Sequence, residues 1–304
     1  RARRALASMA TVLSVGLAVW GLVVTARPVF YEPPLPHIQG NELTREGNAY
    51  WHDLQNLRRE NGNPVYWFIA ESELRKAWNE RSAFSFDGKD FRGNANLKST
   101  LYRYMASRGL RKDREALDTL HDYELRAIEN GVPNYLHLQW PQFLIRIHQS
   151  FWEIQEYRRT GDPDGFSLAQ RIELWRAAWN AFSEKPIMGW GTGGVYTAVN
   201  FGLDSIESRW EMRNIKPHNQ YLLYLITIGS IGFVTVATLI FLFIARSAAY
   251  KHLPFMLMMV ILLSAMAGED LLDFQEPTTF FLLFAVIFGI LYEKSPPESS
   301  DHPS

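Results

Sequence analysis

Apolar and polar positions split this chain into strongly apolar ends and a long polar middle. Residues 5–26 form an uncharged, apolar run behind Arg1-Ala2-Arg3-Arg4, long enough to cross a bilayer as one helix. A basic start and an apolar core also fit a cleaved signal peptide, but Arg27-Pro28 is a poor small-residue cleavage site. Three more apolar stretches close the chain, at 221–245, 253–267 and 278–292. The middle one spans only if it continues through Leu272.

Between the ends, helical spacing dominates. Tyr50, Leu54 and Leu57 recur at such spacing, as do Leu117, Leu120, Ala127 and Ile128, closed by Asn130-Gly131 and Pro133. Phe143, Ile147, Phe151 and Ile154 form a further stripe. Asp87-Gly88 suggests a short hairpin over 83–91. Gly161-Asp162-Pro163-Asp164-Gly165 is a turn, and Ser167 with Gln170 forms a capping-box pattern behind it. That box opens a helix with Leu168, Ile172, Trp175, Trp179 and Phe182 along one face.

Charge adds an orientation. Arg1, Arg3 and Arg4, then Arg246, Lys251 and His252, then Lys294, flank the apolar stretches on what would be one side. The positive-inside rule makes that side cytoplasmic, placing 41–194, His218 and 269–276 outside. A net charge of -1 argues against a nucleic-acid binder, which would need a basic face. The absence of cysteine excludes disulfides and thiolate metal sites.

Candidate chemistry gathers near the second apolar stretch. His218 follows Pro217 at the mouth of the run beginning at Tyr221, and imidazole is the side chain that exchanges protons near neutrality. Arg209 and Arg213 precede it four residues apart, the spacing of a shared helix face; with Arg171 they offer planar forks for phosphate oxygens. Surface salt bridges to Glu207 and Glu211 are the plainer role for that pair. Gly189, Gly191 and Gly193 permit close backbone approach and could make an anion nest, or simply a tight turn. Glu269 and Asp273 sit at the outer end of the third stretch. His52, His121, His137 and His148 show no metal-ligand spacing and read as surface or packing groups.

Arg171-Ile172-Glu173-Leu174-Trp175, then Pro186-x-x-Gly189-x-Gly191-x-Gly193, then His218-Asn219, nine residues, and Gly229-x-x-Gly232, resemble the O-antigen ligase family. The resemblance covers about 171–292 and leaves the enlarged domain at 41–165 unexplained. It implies an all-α membrane protein of GT-C-like polytopic fold in the bacterial inner membrane, with its active site facing the periplasm. It also implies transfer of a glycan from undecaprenyl diphosphate to an acceptor hydroxyl, such as a sugar of lipid A–core, without metal or cofactor. By the same resemblance His218 is the general base and Arg171 helps hold the diphosphate, with Asn219 and the three loop glycines as substrate-binding candidates; Arg209, Arg213 and Glu269 join them on charge and position alone. Family members carry more spans than the four counted here, so this chain is expected to be the C-terminal part of a longer protein and to hold one half of its site.

The expected layout is a transmembrane helix at 1–27 and an extracytoplasmic helical domain at 28–165. An active-site helix and glycine-rich loop follow at 166–217, three spans at 218–294, and a disordered cytoplasmic tail at 295–304. Related polymerases and protein glycosyltransferases share this module, so the acceptor stays open. A membrane-anchored scaffold is the alternative from another class, and a transporter is disfavoured because 221–245 holds no charge.

Overall fold

The computed structural model describes residues 2–38, 40, 42–246, 253–280 and 282–283. The chain divides into two compact units, Arg1–Gly161 and Asp162–Ser304. The expected fourth span and the C-terminal tail lie almost wholly outside the described residues.

The first unit opens with α1 (Ala2–Phe30), which runs through Arg27-Pro28 instead of stopping there. Pro28 falls in the last turn, where it forgoes one helical hydrogen bond, and the helix ends two residues later. The Leu13–Phe30 segment is long and apolar enough to cross a membrane. Gly21 brings α1 close to α6 (Gln142–Thr160): a Cβ there would lie 3.2 Å from Leu144 Cδ2. Phe30 meets Phe151 edge-on at 5.7 Å.

The polar middle is helical, but not everywhere as its spacing suggests. Leu54 and Leu57 lie outside any helix and are exposed. A two-strand hairpin, β1 (Arg59–Glu60) with β2 (Asn63–Pro64), turns instead at Asn61-Gly62, both at positive φ. The 83–91 stretch makes a turn closed by Gly88 N–H on Ser85 O (2.9 Å), not a hairpin. The core lies between α2 (Glu71–Arg81), α3 (Leu97–Ser107), α4 (Arg114–Asp118) and α5 (Asp122–Glu129), around Trp78, Phe86, Tyr102 and Tyr104. The single helix expected over 117–128 is two, because Asp113 caps α4 and the His121 amide bonds Glu124 at the start of α5. On α6 the buried face carries Leu144, Ile145, His148 and Trp152, one position round from the predicted stripe, and Phe143 is exposed.

Two histidines without sequence spacing meet here: His137 Nε2 and His148 Nδ1 are 3.1 Å apart. Burial pushes His137 down to about 3 and His148 down to about 4, with Arg103 opposing a further charge. The unfolded chain binds protons below about pH 6.5 that the folded pair refuses, so stability is full above that pH and falls as pH drops toward 4. Melting of the protein should show a loss of about 1.4 kcal/mol per pH unit for each histidine that charges only when unfolded. Replacing both with glutamine should flatten that slope; an unchanged slope would assign it elsewhere.

The second unit packs α7 (Ser167–Glu184) on α8 (Val195–Ser205) and on α9 (Gln220–Arg246). Ser167 is not the cap of α7. Phe166 holds that position and no side chain caps it, so the expected capping box is absent. The face α7 buries is not the aromatic stripe but the alanine side, Ala169, Ala177, Ala178 and Ala181. The reason is Gly202, which lets α8 approach so closely that a Cβ there would sit 2.0 Å from Ala177 O. Trp179 is left 57% exposed. α9 is the second helix long and apolar enough to cross a membrane. α10 (Leu253–Met266) ends at Met266 rather than continuing through Leu272, because the chain turns at Ala267-Gly268. The described chain is thus mostly helical, with two candidate membrane-crossing helices.

Candidate active site

The second unit is organised around a fault in α9. At Gly229 the backbone takes φ 65° and ψ -173°, and the helical ladder breaks. Two bonds that a continuous helix would make, Ser230 N–H to Ile226 O and Ile231 N–H to Thr227 O, are missing. The segment following α7 replaces both. Trp190 N–H donates to Ile226 O (2.7 Å) and Gly191 N–H to Thr227 O (2.9 Å); Ser230 N–H donates to Pro186 O (2.8 Å) and Ile231 N–H to Ile187 O (3.4 Å). Backbone freed inside an apolar helix must find partners in protein, and this loop supplies them. Gly189 is required because a Cβ there would lie 2.7 Å from Gly229 N and Thr227 O.

That geometry corrects the expectation of an anion nest at Gly189, Gly191 and Gly193. The amides of Gly189, Trp190, Gly191 and Gly194 are already bonded to backbone carbonyls. None of the three glycines lines the cavity that holds His218.

Ahead of α9 the strap Lys216–Asn219 is tied down on both sides. Trp175 Nε1 donates to Pro217 O at 3.0 Å. Asn219 Oδ1 accepts Leu222 N–H (3.1 Å), capping α9, while its Nδ2 donates to Ala267 O (2.9 Å). Asn219 is therefore a structural clamp in this arrangement. Gln220 Oε1 accepts Leu272 N–H at 2.7 Å. His218 precedes the helix by two residues, at φ 47°. The strap aims the imidazole across at the turn after α10.

There Glu269 joins Arg171 to His218. Its Oε1 is ion-paired with Arg171 Nη2, and its Oε2 stands 3.5 Å from His218 Nδ1. Asp270, 2% exposed at its side chain, places Oδ1 also 3.5 Å from Nδ1; neither of these two atoms has a hydrogen-bond partner. Lys216 pairs with Asp273 and lies 3.9 Å from Asp270. The Asp273 carboxylate beside it holds the Lys216 ammonium above its usual range. Arg171, His218 and Glu269 line one cavity of about 370 Å³ with Ser167, Gln170 and Trp210. His218, Glu269 and Asp270 offer ligand atoms within 4.8 Å of one another, a set that could hold a cation. Arg171 pairs with Glu269, and Lys216 is shared between Asp273 and Asp270, so three carboxylates face two cations there.

Arg209 and Arg213 do not join this cluster. They lie on an irregular loop, not a helix face, because Glu207 and Asn214 take left-handed backbone angles. Arg213 pairs with Asp204 at 3.2 Å. Arg209 lines a neighbouring cavity with Asp162, Asp164 and Glu211. Asp270, Lys216 and Trp210 were missed from sequence. Only Asp270 carried a signal, as the second acid of Glu269-Asp270 at the end of an apolar run.

No curated protein and no solved structure matches this chain. Residues 131–237, which hold α7, the glycine-rich loop, His218 and the break at Gly229, match the family model described as O-Antigen ligase, the family that the residue pattern resembles.

Proposed function

We propose that this chain carries half the active site of a membrane glycosyltransferase that moves a glycan from undecaprenyl diphosphate to an acceptor hydroxyl, such as one on lipid A–core, at the periplasmic face of the bacterial inner membrane. The observation that carries this reading is the convergence of Arg171 and His218 on one carboxylate, Glu269, inside a segment that matches the family. A base and an anion-binding fork in one cavity are what displacement of a diphosphate requires.

With Nδ1 turned to Glu269 and Asp270, Nε2 is the ring atom left to meet the acceptor. It takes the hydroxyl proton as the oxygen forms its bond to the anomeric carbon. The bond from that carbon to the diphosphate breaks, and the electron pair leaves with the phosphate oxygen. Arg171 faces that developing charge with two parallel N–H donors. To do so it exchanges Glu269 for the diphosphate. The released carboxylate then serves His218 alone, so donor binding strengthens the base.

Arg171→Lys in the full-length protein tests this division of labour. Lysine keeps the charge but loses the fork. The KM for the lipid-linked donor should rise about tenfold, the equivalent of one strong charged hydrogen bond, while the acceptor KM holds. An unchanged donor KM would remove Arg171 from diphosphate binding.

A further inference from the structure

We propose that the polar cavity beside the His218 cavity is a subsite for one uncharged pyranose ring of the glycan handled at His218. The inference rests on the transferase reading above and extends it to substrate recognition. The second cavity, about 270 Å³, is lined by Asp162, Asp164, Arg209, Trp210, Glu211 and Met212. Trp210 and Met212 also wall the cavity of Arg171 and His218, so the two spaces are neighbours across those side chains. Trp210 is 4% exposed and its indole N–H has no hydrogen-bond partner. A buried donor left unmet is costly, and an oxygen atom arriving between the cavities would satisfy it.

The lining chemistry selects the ligand. Three carboxylates accept hydrogen bonds from neighbouring hydroxyls and the guanidinium donates. The same three carboxylates repel a phosphate, so Arg209 here does not serve the diphosphate that Arg171 faces. The volume is below the ~300 Å³ at the lower end of pockets for drug-sized ligands, which suits a single ring.

The test uses the full-length protein in membranes of its own host lacking the native copy, with donor and acceptor extracted from that host. Asp164→Asn, on an exposed turn, removes a charge without changing shape, and Trp210→Phe removes only the N–H and part of the ring. Each should raise the KM of one glycan substrate about tenfold with kcat within about twofold, a loss of one hydrogen bond to a charged or buried group. A shift in the donor arm assigns the ring to the donor, and a shift in the acceptor arm assigns it to the acceptor. Loss of transfer in His218→Ala together with unchanged KM values in both other variants overturns the subsite alone. Transfer that survives His218→Ala overturns the transferase reading and the subsite with it.

Discussion

His218→Ala in the full-length protein should lower kcat for glycan transfer by about 10²–10⁴, the usual contribution of a positioned general base. That is about 3–5 kcal/mol of transition-state stabilisation. KM for both substrates should move far less, because the base acts on a hydroxyl only as it reacts. Stability should hardly change, since the side chain is 42% exposed and is not part of a core cluster. Its backbone angle of φ 47° suits asparagine as well as histidine, so His218→Asn supplies a control that keeps the strap's shape. Both variants should accumulate and melt like the parent and both should lose transfer. Full transfer in either one would move the base elsewhere, with Asp270 the next group to examine.

Glu269 gives that result a companion. It holds Arg171 and faces His218 at once, so removing its charge frees the first and unsteadies the second. Glu269→Gln should therefore tighten the donor KM while lowering kcat, opposite signs that a merely structural ion pair would not produce. A parallel loss of both would mark the carboxylate as part of the fold only.

The sequence showed the partners of this site more clearly than their jobs. His218, Arg171 and Glu269 stood out by position and residue type, and they do meet. The glycines stood out as well, but spacing along a chain does not say what a glycine must let pass. Gly189 and Gly229 are 40 residues apart and make room for one another. Arg209 and Arg213 fall at helical spacing, yet Glu207 at φ 52° and Asn214 at φ 60° keep that stretch out of a helix. On α7 the periodicity marks two possible faces, and a glycine on another helix, Gly202, decides that the alanine side packs. Periodicity reports that a helix is two-sided; the partner's shape chooses the side.

The largest structural effect is expected from Gly229→Ala. The backbone angles at Gly229 belong to a region that is essentially glycine-only, and an L side chain there costs about 1–3 kcal/mol before any contact is counted. Its Cβ would lie 2.1 Å from Ile187 O and 2.5 Å from Ile187 C, both main-chain atoms that cannot swing aside. Relief requires the 186–191 loop to withdraw, breaking the four bonds that close the fault in α9. Each buried group so stranded costs about 1–3 kcal/mol, and an apolar helix offers no water in exchange. The sum exceeds about 4 kcal/mol, the range in which a mutant fails to accumulate. Gly193→Ala, with no atom within 4 Å of its new Cβ, should stay within about 0.5 kcal/mol. Gly191→Ala, unobstructed but at φ 85°, should fall between the two. The yield of each variant in membranes, and the melting of those that accumulate, fix the order. If Gly229→Ala melted with Gly193→Ala, the loop would not be what closes the break, and the glycines would return to candidacy for substrate.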